Sequence, residues 1–300
     1  MKITRGRPAV FLSVAVTLWV FHALLVAAEV SPSRSRQAAA TASAPPSDCP
    51  SIENFLKKAK IGSQKDLSVG VTIPSRATLT DGTFRHDASI QTVDVKTPVF
   101  QGGVTSEVNF RDTWEYNVAG YELAKLLKLN MVPPYVERRV NGKDASVSWW
   151  IDDAMMEKDR YKKNLQPPDS AKWNNQMFAA RVFHELIADT DFNMTNVLIT
   201  KDWSVWLIDF SRAFRMTKTI RNPKELTKVD RTLLANLRSL DADVVREKLG
   251  RWVGKMELDG LLARRDLIVQ FFDKEIAAKG EAAVLYDFPR TSESCGAGLQ

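Results

Sequence analysis

The chain has 300 residues, of which 44% are hydrophobic and 26% charged, and its formal net charge is +6 at pH 7. Residues 1–28 hold three basic residues and no acidic one, so the 42 basic residues fall to 39 against 36 acidic ones in the remainder. A balance that small argues against a nucleic-acid-binding protein. The remainder is long enough for one two-lobed domain or two small ones.

Histidine is too scarce to carry most of the chemistry that depends on it. Beyond residue 28 the chain keeps only His86 and His184, and His184 falls in a helical pattern where a packed or surface histidine is the usual case. This argues against a histidine zinc site and a Ser-His-Asp triad. The sequence contains neither Gly-x-x-x-x-Gly-Lys-Ser/Thr nor Gly-x-Ser-x-Gly. Acid and base chemistry therefore falls to carboxylates.

The N-terminus has the pattern of an export signal. Lys2, Arg5 and Arg7 precede an apolar run that ends in Val26-Ala27-Ala28. This layout is typical of a secretory signal peptide, although a run of about 20 residues is also long enough to remain as a membrane anchor. Both interpretations place the rest of the chain outside the cytoplasm and predict a periplasmic or secreted protein, with membrane attachment only if the segment is uncleaved.

Residues 29–48 are rich in Ala, Ser and Pro, which predicts a flexible linker. The two cysteines, Cys49 and Cys295, flank the body of the chain. In an oxidising compartment they could form a disulfide that joins the two ends, and the sequence leaves that pairing open.

The body begins with a strand-like region, residues 67–100, interrupted by turn signals at Pro74-Ser75 and Asp81-Gly82. Within it, the run from Ser89 to Lys96 alternates apolar and polar residues and is predicted to form one strand with Lys96 at its end. Taken alone, Lys96 is more simply interpreted as a solvated lysine on an edge strand.

A helix is predicted over residues 113–128, and Pro133-Pro134 prevents its continuation. A hairpin follows, with Tyr135–Val140, a turn at Asn141-Gly142, and Ala145–Ile151. The boundary between two lobes is predicted near residue 156.

The second lobe is predicted to be mainly helical. Ser170 is a candidate N-cap for a helix that carries the apolar residues Trp173, Met177, Ala180, Phe183 and Ile187. Residues 230–280 repeat apolar residues at helical spacing, and Arg264-Arg265 is interpreted as a solvated helix face.

The candidate site surrounds a predicted hairpin between this helix and the C-terminal helices. Segments 197–200 and 205–208 are short and apolar, and four residues between them predict a loop. With a four-residue loop, the register brings Asn196 directly opposite Asp209, where Cβ atoms lie about 4.5 to 5.5 Å apart. An amide oxygen and a carboxylate at that separation could share a hard cation such as Mg²⁺.

Asp191 lies five residues before Asn196, on the loop that leads into the hairpin. The alternative interpretation is that Asp191 and Asn196 are turn formers and that Asp209 merely ends a strand, because Asp and Asn are common in turns. The order of all three residues, together with the hairpin register, favours a site.

The segment from Val182 through Asn196 to Ile199, followed by Leu-Ile-Asp209-Phe-Ser-Arg212, resembles the catalytic core of atypical kinases. The resembling families are the secreted kinases of the animal Golgi, the HipA-type bacterial kinases and, more distantly, the phosphatidylinositol 3- and 4-kinases. Residues 121–139 are similar to the small-lobe helix and strand of these families. The resemblance implies an α+β, two-lobed protein-kinase-like fold with a β-rich small lobe and a mainly helical large lobe, in a bacterial exported member.

The resemblance also implies roles for individual residues. Asp191 would be the base that accepts the proton of the acceptor hydroxyl, Asn196 and Asp209 would hold Mg²⁺ or Mn²⁺, and Lys96 would meet the phosphates of ATP. The segment from Trp149 to Met155 would be the hinge beside the adenine.

Two positions depart from the pattern of these families. The catalytic loop reads Asp191-Phe192-Asn193, without the usual basic residue. Asn117 stands where the glutamate partner of the lysine is expected, and Glu115 or Glu122 could substitute for it.

The predicted organisation comprises a signal peptide or anchor at 1–28, a linker at 29–48, a small lobe at 49–156, a large lobe at 157–290 and a tail at 291–300. The leading hypothesis is an exported, metal-dependent phosphotransferase that moves the γ-phosphoryl group of ATP to a hydroxyl of an unknown protein or glycan. The alternatives are a nucleotide-binding or scaffolding pseudokinase without turnover and a metal-dependent phosphohydrolase.

Overall fold

The computed structural model describes residues 46, 48–67, 74–102 and 105–288. All of them belong to one compact unit, Thr41–Gln300. The predicted signal segment 1–28, almost all of the linker and the tail 291–300 lie outside the described residues, as does Cys295, so its pairing with Cys49 stays a prediction. The division into lobes at residue 156 also stays a prediction.

The helices and short strands alternate along the chain in a mixed α+β order. The helices are α1 Cys49–Lys58, α2 Glu115–Leu126, α3 Glu157–Lys162, α4 Ser170–Ile187, α5 Arg231–Ser239, α6 Ala242–Leu249, α7 Lys255–Lys279 and α8 Glu281–Val284. The strands are β1 Lys60–Asp66, β2 Ser75–Thr80, β3 Arg85–Gln91, β4 Asp94–Gly102, β5 Thr105–Thr113, β6 Tyr135–Val140, β7 Lys143–Trp149, β8 Met155–Met156, β9 Val197–Ile199, β10 Val205–Leu207, β11 Val229–Asp230 and β12 Leu285–Tyr286.

Five antiparallel strands form a sheet in the order β1-β2-β3-β7-β6. Helix α1 covers one face of this sheet, where Ile52, Phe55 and Leu56 join a hydrophobic core with apolar side chains of the strands. The predicted turn between β6 and β7 is confirmed, with Asn141 and Gly142 at φ angles of 50° and 80°, as a two-residue hairpin turn requires.

The prediction of one strand from Ser89 to Lys96 is wrong. Strand β3 ends at Gln91, and Lys96 belongs to the separate hairpin β4-β5, where it pairs with Arg111. The chain bends between these strands because the carbonyl of Val93 accepts the N–H of Trp114 at 2.8 Å instead of continuing the β3-β7 ladder. Alternating polarity does not reveal such a bend, since both strands share the same period of two.

The C-terminal helices form a second hydrophobic core around α4 and α7. Helix α4 begins at Ser170 as a helical residue, while Asp169 is the N-cap and accepts the N–H of Lys172 at 2.9 Å. The predicted cap was therefore wrong by one position. None of the helices in the described part of the chain is long and apolar enough to cross a membrane.

The interpretation of Arg264 as a solvated residue is wrong. Its side chain is 0% exposed, and its guanidinium donates to the carbonyl oxygens of Leu186 and Arg215 at 2.8 Å each and to that of Thr217. Burial lowers the pKa of Arg264 to about 10. Three main-chain carbonyl oxygens from two segments accept hydrogen bonds from one guanidinium group, which explains why a charged side chain lies in the core.

Replacement of this donor gives a testable consequence. Arg264→Met should lower the free energy of unfolding by about 2–4 kcal/mol, because buried carbonyls left without donors cost about 1–3 kcal/mol each, partly offset by removal of a buried cation. Urea unfolding measures the change. Arg246→Met, which removes a side chain that is 45% exposed, should change it by less than about 0.5 kcal/mol. Equal stability of the Arg264 variant and wild type would show that the carbonyls find other partners.

Candidate functional site

A cleft of about 280 Å³ lies where the five-stranded sheet meets the small sheet β10-β9-β8. Its lining residues are Leu67, Pro74, Ser89, Gln91, Tyr135, Ser146, Ser148, Trp149, Trp150, Ile151, Ala154, Met155, Met156, Asp159, Thr195, Asn196, Leu198, Ile208 and Asp209. One side is apolar and aromatic, and it includes most of the predicted hinge segment. The other side carries amide, hydroxyl and carboxylate groups, so the cleft suits a ligand with an apolar ring and a polar end.

The predicted register of the hairpin is wrong by one residue. Val205 pairs with Ile199, and the N–H of Ile208 donates to the carbonyl of Asn196 at 3.0 Å, so Asn196 lies opposite Ile208. The loop contains three residues instead of four, because the N–H of Thr200 donates to the carbonyl of Ser204 and Trp203 takes a φ of 63°. A turn followed by a left-handed residue is a standard three-residue hairpin connection.

Asp209 nevertheless lines the same cleft as Asn196. A shift of one residue would reverse the side-chain direction if Asp209 continued the strand. It does not, because β10 ends at Leu207 and Asp209 takes a left-handed φ of 59°. The change of backbone direction at this residue compensates for the shifted register.

Polar groups surround the Asp209 carboxylate and fix its position. Its Oδ1 accepts the N–H of Ser211 at 3.4 Å, and its own N–H donates to the hydroxyl of Tyr135 at 3.4 Å. Gln91 and the Ser211 hydroxyl also donate hydrogen bonds to the carboxylate. Burial raises the pKa of Asp209, and these hydrogen bonds oppose the shift. A partly desolvated carboxylate held in this way is suited to accept a cation.

Asn196 is oriented by its amide nitrogen. Its Nδ2 donates to the carbonyl of Asp191 at 3.0 Å, while its Oδ1 accepts from the hydroxyl of Thr195 at 3.3 Å. The two bonds fix which end of the amide is the oxygen. They also tie Asn196 to Asp191, so two of the predicted site residues are in direct contact.

Asp191 is not one of the residues that line the cleft, but its carbonyl contacts Asn196 at the cleft's edge, and its side chain is 46% exposed. Its N–H donates to Asp189 Oδ1 at 2.9 Å, and the second oxygen of Asp189 is 2.9 Å from His184 Nδ1. Burial raises the pKa of Asp191, as do the nearby carboxylates of Asp189 and Asp209, while Arg212 lowers it. Arg212 Nη1 is 4.0 Å from Asp191 Oδ1, so the segment after the hairpin places a basic group beside the loop Asp191-Phe192-Asn193, which has none of its own.

The structure does not bring Lys96 to this cleft. Its side chain is 47% exposed and its Nζ is 3.2 Å from Asp94 Oδ1 and 3.6 Å from Glu115 Oε2. It lines a separate surface depression with residues of β5 and of helix α7. Of the two glutamates considered as partners, Glu115 is thus the nearer one, because Glu122 pairs with Lys125 at 2.8 Å.

Sequence reasoning missed Gln91 as a site residue. It is the last residue of β3, it lines the cleft, and its Oε1 accepts a hydrogen bond from Asn117 Nδ2. Asn117 is 0% exposed and its Oδ1 accepts the N–H of Phe210 at 2.7 Å. Gln91 belongs to the run that alternates apolar and polar residues, but the prediction of one unbroken strand placed Lys96, and not Gln91, at the end of that strand.

Sequence reasoning also missed Asp112. This residue of β5 is 8% exposed, and its Oδ1 has no hydrogen-bond partner among the described residues. Burial raises its pKa, and the charge of Asp191 adds to the shift, whereas Ser211 and Arg212 oppose it. No local pattern could have revealed it, because its neighbours come from segments about one hundred positions later in the chain.

The raised pKa of Asp112 predicts a pH effect on stability. The Asp112 carboxyl group binds its proton more tightly in the folded chain than in the unfolded chain. The free energy of unfolding should therefore decrease as the pH rises above 3.8, the ordinary pKa of this group. Asp112→Asn should remove this part of the dependence and raise the free energy of unfolding at pH 7 by about 1 kcal/mol, a typical single-residue effect. Chemical denaturation at several pH values tests it. A variant less stable than wild type at pH 7 would contradict the prediction.

Solved structures share this architecture. The structure of hydra Fam20 with sugar aligns with a TM-score of 0.61 at 12% sequence identity, over 80% of this chain and 92% of that chain. A Golgi casein kinase aligns with a TM-score of 0.57 at 13% identity, over 81% of each chain. Its structure with Mn/ADP bound aligns with a TM-score of 0.55 at 13% identity over 81% of each chain.

The sequence itself matches no protein-family profile and no curated protein. The structural similarity confirms the predicted α+β, atypical kinase-like fold. Identities this low establish the fold, and the activity has to be argued from the residues of the cleft.

Proposed function

We propose that this protein is a metal-dependent phosphotransferase that moves the γ-phosphoryl group of ATP to a hydroxyl of a protein or glycan. The observation that supports the proposal most directly is the placement of Asn196 and Asp209 in one cleft of a kinase-like fold, with Asp191 bonded to Asn196 at its edge. Phosphoryl transfer needs positioning and charge stabilisation more than covalent chemistry, so a cleft with these groups supports the proposal.

The cleft residues fit a divalent cation such as Mg²⁺ or Mn²⁺. Among the described residues, no three His, Cys, Asp or Glu side chains converge on one point. Mg²⁺ is usually bound by one or two protein oxygens together with the phosphates of the substrate, so Asn196 Oδ1 and an Asp209 oxygen are an adequate protein contribution. When bound, the cation would neutralise the charge of the phosphates.

The remaining residues supply binding and proton transfer. The apolar side of the cleft, which includes Trp149 and Leu198, would hold the base of the nucleotide. Asp191 would accept the proton of the acceptor hydroxyl as its oxygen attacks phosphorus. Arg212, which lies 4.0 Å from Asp191 and is not one of the residues that line the cleft, would attract an oxygen of the acceptor.

Two further aspects of the proposal are its acceptor class and its location. The presence of sugar in the hydra Fam20 structure supports a glycan as one acceptor class. The pattern of residues 1–28 supports a periplasmic or secreted location.

The test is a transfer assay with γ-labelled ATP and MnCl₂ or MgCl₂, with an extract of the native compartment as acceptor source. Labelled protein or glycan should appear with the wild type, and its formation should stop in EDTA. Release of labelled inorganic phosphate at the same rate with and without acceptor would favour the phosphohydrolase instead.

A nucleotide-binding pseudokinase is the second candidate, and one observation favours it. Strand β3 and helix α2 meet through a neutral amide pair, Gln91 and Asn117, whereas active kinases use a lysine on a strand and a glutamate on a helix of the small lobe. ATP binding without transfer to any acceptor, or to the protein itself, would select this candidate.

A further inference from the structure

The amide pair has a defined hydrogen-bond direction. The N–H of Phe210 donates to Asn117 Oδ1 at 2.7 Å, and Asn117 Nδ2 donates to Gln91 Oε1 and, at 3.3 Å, to the Ser146 hydroxyl. Because the oxygen of Gln91 is thus an acceptor, its amide nitrogen is the end that donates to the Asp209 carboxylate. The four groups form a closed ring that starts and ends in adjacent residues, Phe210 and Asp209.

Both amides are shielded from solvent, since Gln91 is 7% exposed and Asn117 is 0% exposed. A buried ring in which each amide hydrogen-bonds through both its oxygen and its nitrogen fixes side-chain positions strongly. Gln91 and the N–H of Ser211 therefore both hold the Asp209 carboxylate.

The described residues that line the cleft carry no positive charge. Its lining, as far as the structure describes it, contains two carboxylates, Asp159 and Asp209, and no lysine, arginine or histidine. A nucleoside triphosphate that entered alone would bring its negative charges next to carboxylates at low local dielectric, which is strongly unfavourable.

We propose that Gln91 is a positioning residue for the metal-binding carboxylate, and that the cleft admits a nucleoside triphosphate only as its complex with a divalent cation. This inference rests on the proposed function as regards the ligand, but it concerns binding and not transfer. Gln91 orients Asp209 but carries no charge, so the negative charge of the phosphates has to be neutralised by the cation. A lysine at position 91 would supply the charge directly.

The experiment measures ATP and adenosine binding by calorimetry, each with MgCl₂ or MnCl₂ and again with EDTA. For the wild type, removal of the metal should weaken ATP binding at least 100-fold and leave adenosine binding unchanged, because adenosine has no phosphates. In Gln91→Lys, removal of the metal should weaken ATP binding by less than tenfold. Ser63→Lys adds the same charge on an exposed residue of β1 and should show the same loss as the wild type.

If Gln91→Lys does not fold, Gln91→Lys/Asn117→Glu provides the same test with a rebuilt ion pair. Equal ATP affinity of the wild type with and without metal would overturn the inference. The inference would also fail if removal of the metal weakened ATP binding as much in the lysine variants as in the wild type. Metal-dependent ATP binding without transfer would refute the proposed phosphotransferase activity and leave the inference intact. Binding of neither ATP nor adenosine under any condition would refute both.

Discussion

Asp209→Asn should abolish metal-dependent ATP binding, with an affinity loss of at least about 100-fold, beyond what loss of a supporting residue around a metal costs. The substitution keeps the size of the side chain and an oxygen for the N–H of Ser211, but it removes the only charge that the described site residues Asn196 and Asp209 offer to a cation. Because the pKa of Asp209 is raised by burial, the variant should be at least as stable as the wild type without ligand.

Thermal unfolding with and without ATP and MnCl₂ measures this effect directly. A ligand at 100 times its Kd stabilises the wild type by about 2.7 kcal/mol, and the variant should show no such increase. Asp159→Asn is the matched control, since it makes the same change at the other carboxylate of the cleft and should keep most of the increase. Equal stabilisation of wild type and Asp209→Asn would eliminate Asp209 as a metal ligand.

Asp191→Asn should lower the turnover number by about 10²- to 10⁴-fold, the usual contribution of a general base, with nearly unchanged affinity for ATP. The separation is expected because Asp191 is not one of the residues that line the cleft and its side chain is 46% exposed. Its backbone carbonyl, which holds Asn196, is retained in the variant. The metal site should therefore survive.

The pH dependence of turnover adds a second measurement. A base works only when deprotonated, so wild-type activity should rise with pH through the raised pKa of Asp191, above the ordinary value of 3.8. Asp191→Asn should lose this rise along with the rate. Asp243→Asn, at a side chain that is 95% exposed, should retain both. Undiminished turnover in Asp191→Asn would assign the base to another group.

The sequence was informative where the determinants are local. The fold class followed from the resemblance of residues 182–212 to the catalytic core of atypical kinases, and the hairpin at Asn141-Gly142 followed from turn chemistry. The hairpin between β9 and β10 shows the limit of such prediction, because the residues between its strands are compatible with a loop of either three or four residues. Only the left-handed backbone of Trp203 distinguishes them, and a bulky aromatic residue is an unusual choice for that position.

The remaining errors have a non-local origin. The strand break before Lys96 depends on a hydrogen bond to Trp114, and the burial of Arg264 depends on carbonyls nearly fifty and eighty positions away. Likewise, Asp112 lies near Asp191, Ser211 and Arg212 only because distant segments meet in the folded chain. Periodicity describes one element at a time, so contacts between distant segments lie beyond it.

The closed ring of hydrogen bonds around Gln91 also bears on how the protein folds. Its members, Gln91, Asn117 and Asp209-Phe210, come from segments separated by 26 and 93 positions. The entropy of closing such long loops is lost before the contacts compensate for it, whereas the β9-β10 hairpin closes locally. We therefore expect a partly folded chain to form the hairpin that carries Asn196 before Asp209 is oriented, so ligand binding should require the cooperative closure of these long loops.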